Sequence, residues 1–117
     1  MTAPTDLVDG IPVLEPERLA DLSGGDDAFA AELVGMLANE TGKLMARIDA
    51  GVAAGDAEAV RSAAHALKGS SATLGFAALS EAARRLEAAA RAGEPQADLA
   101  QAVRVRIGDL ALVSGGA

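Results

Sequence analysis

Glycine-marked turns cut this chain into a few long segments whose apolar residues recur with helical period. That punctuation restricts the fold more than any other feature. Gly24-Gly25, Gly55-Asp56, Gly75 and Gly93-Glu94-Pro95 are stop-and-restart signals. Pro16, suited to a first helical position, starts a short helix over 15–22. Asp26 or Asp27 then caps a long segment with Phe29, Leu33, Leu37, Leu44, Ile48 and Val52 on one stripe, widened by Met36 and Met45. Gly42 marks a place where that segment can kink or break. A third segment over 56–74 carries Val60, Ala63, Ala64, Leu67, Ser71 and Leu74 at the same period. A fourth opens at Phe76 with Leu79, Ala83, Leu86 and Ala90, and a last one carries Leu99, Val103, Ile107, Leu110 and Val113.

Short connections between long amphipathic helices make neighbours antiparallel. The expected fold is therefore all-α: an antiparallel up-down four-helix bundle with a short extra N-terminal helix. Residues 14–114 form the bundle domain, and residues 1–13, with Pro4, Gly10 and Pro12, read as a flexible or loosely docked N-terminal arm. Composition agrees, since half of the residues are apolar yet Phe29 and Phe76 are the only aromatics. Alanine and leucine supply most of that apolar content, which favours close-packed helices over sheet.

Several chemistries are excluded directly. With no cysteine and one histidine, thiolate sites, disulfides and His-rich metal sites drop out. No apolar run approaches membrane-spanning length and no export signal opens the chain, so a cytoplasmic protein without membrane contact is expected. The net charge of −7 speaks against nucleic-acid binding. Charge is unevenly distributed: nine acidic residues face Arg18 alone over residues 1–40, whereas residues 41–92 are mildly basic.

That basic stretch surrounds His65. It lies two positions from the core residue Leu67, about 200° around the helix, and so points outward. Its own face holds Arg61, Lys68, Gly69 and Ala72 at i−4, i+3, i+4 and i+7. Neutral imidazole is nucleophilic near its ordinary pKa of about 6.5 without an activating base. A lysine one turn away favours a dianionic phosphoryl group there. Glycine on the next position removes the side chain that would obstruct a partner, at a helix cost of about 1 kcal/mol. If the turns fold back with simple register, Lys43, Arg47, Arg84 and Arg85 gather at the level of His65 and complement an acidic partner pocket.

The run His65-Ala66-Leu67-Lys68-Gly69-Ser70-Ser71, closed by Leu74-Gly75-Phe76, resembles the signature of the histidine-containing phosphotransfer (HPt) domain family. The likeness extends over residues 14–110. It implies His65 as the phosphoacceptor at Nε2, Lys68 as the group assisting the phosphoryl, and Gly69 as clearance. It implies a phosphorelay intermediate without kinase activity of its own. Such a protein takes phosphate from the aspartyl-phosphate of one response-regulator receiver and passes it to another. It has no intrinsic cofactor, because Mg²⁺ is held by the receiver. The implied partners are receiver domains and a sensor or hybrid histidine kinase, with the chain itself a monomer. Two other readings remain open here: a receiver-binding scaffold or antagonist that needs no phosphorylation, and the phosphoacceptor domain of a histidine kinase.

Overall fold

The computed structural model describes residues 6–114, and most of that length is helical. Six helices follow one another: α1 (Pro16–Ser23), α2 (Asp27–Ala54), α3 (Ala57–Leu74), α4 (Ala77–Ala92), α5 (Ala97–Ile107) and α6 (Asp109–Ser114). Two short strands, β1 (Leu7–Val8) and β2 (Ile11–Pro12), precede them. Several boundaries have a local cause. Asp26 and Asp56 turn their side chains to accept from the backbone N–H of Phe29 and Ala59, at 3.0 and 3.1 Å. These are N-caps that satisfy donors the helix cannot satisfy itself. The three longest helices, α2, α3 and α4, close on Gly55, Gly75 and Gly93 in the left-handed region.

Gly75 has a second duty. A Cβ there would lie 2.6 Å from the Glu15 carbonyl oxygen, and the Glu15 N–H donates to the Gly75 carbonyl at 2.7 Å. The α3–α4 turn is thus the seat of the segment leading into α1. Gly51 acts similarly between α2 and α3, where an added Cβ would come within 2.8 Å of Val60 Cγ2.

α3 packs against both α2 and α4, α5 packs on α4 and α2, and α6 returns to α2. The core between them holds Val34, Leu37, Leu44 and Ile48 of α2, Val60, Ala63, Ala64 and Leu67 of α3, and Leu79, Ala83 and Leu86 of α4. Phe76, at the start of α4, is fully buried, and Val103 and Leu110 close the far side. Burying one such leucine or phenylalanine stabilises by roughly 1.5–3 kcal/mol. No described helix is long and apolar enough to cross a membrane.

Four details differ from the sequence expectations. Phe29 and Met36 do not join the buried stripe and stay 42% and 69% exposed. Phe29 precedes Leu37 by eight residues, about 80° off its direction, so Val34 and Thr41 take the inward phases instead, beside the expected Leu37, Leu44, Met45 and Ile48. α2 runs through Gly42 without a break, because one glycine in a long packed helix is tolerated. The last helix is divided at Gly108, whose N–H bonds the Val105 carbonyl in a tighter i→i−3 turn before α6 begins. Finally, the described part of the expected arm is a docked hairpin. Asp9 and Gly10 sit at φ 53° and 80°, the Asp-Gly turn that joins antiparallel strands, and Val13 behind them is fully buried.

Candidate functional site

The phase of α3 that buries Val60, Ala63, Ala64, Leu67 and Ser71 turns His65 outward, and its side chain is 60% exposed. The neighbouring helix α4 is phased so that Glu87 faces it. Glu87 shares the inward arc with Ala83 and Ala90 and is only 3% exposed. Its two carboxylate oxygens gather three partners from two helices. Oε2 lies 2.8 Å from His65 Nδ1 and 3.0 Å from an Arg91 guanidinium nitrogen, and Oε1 lies 2.8 Å from Lys68 Nζ. Ser80 Oγ donates to the Lys68 carbonyl at 3.0 Å, tying α3 to α4 beside the cluster.

A buried carboxylate is costly unless it is paired. Here the hydrogen bond from Lys68 is the largest influence and holds the Glu87 carboxyl below its ordinary range, with help from His65 and against burial. Glu87 is therefore an ionised acceptor, and the imidazole nitrogen facing it must carry hydrogen. A neutral ring then has its lone pair on Nε2, the outer nitrogen, which has no hydrogen-bond partner among the described residues. The arrangement is an exposed imidazole whose tautomer is set from behind by a buried acid, with two cations within reach.

Other residues singled out from the sequence take varied positions. Lys68 lies in the cluster, held by Glu87. Gly69 is exposed, and a Cβ there would meet nothing within 4 Å. Ala72 is half-buried one turn further on. Arg61 closes a fork onto Glu58 at 2.8 and 2.6 Å. Arg84 does the same onto Glu81 at 2.7 and 2.6 Å, and Arg85 bridges Glu81 and Asp9 at 3.0 and 3.5 Å. Lys43 and Arg47 are exposed on α2 and pair with neither His65 nor Glu87 among the described residues. The expected pool of bare cations at the level of His65 thus does not form, because Arg61, Arg84 and Arg85 each have an acid three or four residues away on their own helix.

Glu87 and Arg91 are the two members that the motif left out. Glu87 carries a readable signal: a carboxylate four residues after Ala83 and three before Ala90 sits at an inward phase, where an acid needs a partner. Arg91, at i+4 from it, is one such partner.

On the α2 side of α3, a groove of about 280 Å³ runs between Leu33, Met36, Leu37 and Glu40 and Ser70, Thr73 and Leu74. Ser70 Oγ donates to Glu40 Oε1 across it at 2.9 Å.

The sequence matches the family model of the Hpt domain over residues 32–111, from α2 through α6 and including the whole His65 cluster. The chain belongs to the Hpt domain family. Its fold is similar to that in the crystal structure of histidine-containing phosphotransfer protein B (HptB) from Pseudomonas aeruginosa PAO1. The TM-score is 0.82 at 24% sequence identity, over 90% of this chain and 93% of that chain. No curated protein matches the chain in sequence. Hpt domains are phosphotransfer intermediates of two-component phosphorelays, where they meet receiver domains and kinases, and are not enzymes in the ordinary sense. This chain is accordingly a phosphorelay phosphotransfer protein.

Proposed function

We propose that Nε2 of His65 accepts a phosphoryl group from the aspartyl-phosphate of a response-regulator receiver and delivers it to the aspartate of another. The observation that carries this reading is the 2.8 Å pairing of Nδ1 with the buried Glu87 carboxylate, which leaves Nε2 exposed with its lone pair. In the accepting step that lone pair forms a bond to phosphorus while the acyl P–O bond breaks and the aspartate leaves as a carboxylate. The reverse sequence passes the group on, with Mg²⁺ supplied by the receiver in both directions.

Lys68 lies one turn from His65, so its ammonium can swing from Glu87 to a phosphoryl oxygen and offset charge in the transfer. Arg91 is a second cation within the same cluster. Gly69, with open space where a Cβ would stand, admits the partner close to the ring. Ala72 extends that low surface by one turn. Arg61 on α3, Arg84 and Arg85 on α4, and the exposed Lys43 and Arg47 on α2 would meet an acidic partner face as separate cations, Arg61, Arg84 and Arg85 exchanging the acids that hold them for the partner's. The supporting scaffold is an up-down four-helix bundle with α1 in front, and the protein works as a monomer in the cytoplasm.

Incubation of the chain with a phosphorylated receiver and Mg²⁺, followed by phosphate-affinity electrophoresis, tests the reading. Wild type becomes phosphorylated and His65→Ala does not. Label on His65→Ala would place the acceptor elsewhere.

A further inference from the structure

A ring that shuttles a phosphoryl group must be a nucleophile on arrival and a leaving group on departure. Both demands meet at the nitrogen that is not phosphorylated. When Nε2 of an Nδ1–H imidazole bonds to phosphorus, the ring becomes positively charged and the Nδ1 proton becomes more acidic. If that proton escapes to water, the N–P bond can break only by expelling an imidazole anion. If it stays, neutral imidazole departs.

Glu87 is set against this atom. Its Oε2 lies 2.8 Å from Nδ1, and the acid is 3% exposed, so water scarcely weakens its attraction for a charged ring. We propose, resting on the assignment of His65 as phosphoacceptor, that Glu87 holds the Nδ1 proton through the phosphorylated state and so keeps His65 a donor as well as an acceptor. In the outward step an oxygen of the receiving aspartate bonds to phosphorus. The N–P electron pair returns to Nε2, and the Nδ1 proton never leaves the ring. Glu87 touches neither phosphorus nor the partner; it is a positioning residue that acts through the imidazole.

The surrounding charges support this division of labour. On α3, Lys68 lies 2.8 Å from Oε1, and Arg61 is taken up by Glu58. On α4, Arg91 lies 3.0 Å from Oε2, and Arg84 is taken up by Glu81. No charged group of α2 pairs with His65 or Glu87 among the described residues. Lys68 and Arg91 make the carboxylate a weaker base, so Glu87 accepts the hydrogen bond without removing the proton.

The test compares the phosphorylated wild-type chain with Glu87→Gln, following transfer to a receiver with Mg²⁺ between pH 5.5 and 9. Glutamine keeps an oxygen to accept from Nδ1–H and loses the charge. Transfer should be alike at the acid end, where both phosphorylated rings are protonated. At higher pH Glu87→Gln should fall behind, with the midpoint of its decline lower by about one unit or more, a rate deficit on the order of tenfold. Superimposed profiles, or an equal loss at every pH, overturn the proposal. Should Glu87→Gln prove unfolded by circular dichroism, ¹⁵N NMR of phosphorylated wild type decides. The Nδ1 proton must persist to higher pH than in N-phosphorylated free histidine, and its loss at the same pH overturns the role. His65→Ala separates the two layers: its phosphorylation removes the site itself, whereas matching profiles with His65→Ala silent remove only the role of Glu87.

Discussion

Gly69 separates what the chain needs for its own fold from what a visiting partner needs. It lies inside α3, one turn past His65, and the space beside it is empty to 4 Å. A helix-interior glycine costs about 1 kcal/mol relative to alanine. Gly69→Ala should therefore stabilise the protein by about 0.5–1 kcal/mol, a rise in Tm of roughly 2–4 °C for a domain of this size. Gly69→Leu, with a helix propensity close to that of alanine, should also remain at least as stable as wild type. Phosphotransfer should move the opposite way, because the partner must bring its carboxylate in line with Nε2 across this position. Displacing the reacting atoms by about 1 Å costs on the order of a hundredfold in rate. The leucine variant should approach that loss, and the alanine variant should lose less. Urea unfolding and initial transfer rates from a phosphorylated receiver, measured on the same preparations, give both quantities. A destabilised Gly69→Leu would show that the chain's own packing requires the glycine. A stable Gly69→Leu that transfers at the wild-type rate would remove the clearance role.

Three further outcomes follow from particular contacts. Gly51→Ala places a Cβ 2.8 Å from Val60 Cγ2 and should destabilise by about 1–3 kcal/mol in urea unfolding, while Gly42→Ala, with open space around it, should not. Lys68→Ala should keep the fold, since His65 and Arg91 still partner Glu87, yet slow phosphotransfer about 10- to 100-fold in a rapid-quench assay. Hydrogen bonding from Arg84, reinforced by Arg85 and opposed by burial, brings the Glu81 carboxyl from 4.5 down to about 2. A depressed carboxyl stabilises the fold fully above its unfolded pKa, and that contribution fades as pH falls toward the folded value. Glu81→Gln should thus be less stable than wild type at pH 7, with the difference shrinking from about pH 4.5 downward and gone near pH 2 by thermal unfolding.

Much of the helical architecture was legible because its signals are local. The Asp26 and Asp56 caps, the left-handed glycines at 55, 75 and 93, and the stripe from Val60 to Ser71 need only neighbours in sequence. The outward phase of His65 follows from Leu67 alone. The misjudged details depend on longer range. Phe29 shares a rough period with Leu37 but drifts off the core over eight residues, and whether Gly42 breaks α2 is decided by the packing of α3 along it. The cation arrangement around His65 depended on register and on each arginine's choice between a distant histidine and an acid on its own helix. For Arg61 and Arg84 the nearer acid wins, and for Arg85 an acid on the hairpin adds to it. Glu87 needed tertiary structure, because only the packing of α4 on α3 shows that one acid is shared by His65, Lys68 and Arg91. The hairpin at Asp9-Gly10 had a turn signal, but its strands are too short to show a period of two.

The most direct measurement is the position of the phosphoryl group on the loaded protein, read by ³¹P and ¹⁵N NMR. His65 is the only histidine in the chain, so any alkali-stable, acid-labile phosphate on a histidine must be on it. With Nδ1 turned toward Glu87, phosphorus should be coupled to Nε2, and Nδ1 should retain its hydrogen. Phosphorus on Nδ1, or an alkali-labile phosphate on a carboxylate, would contradict the assignment of the exposed Nε2 as the carrier.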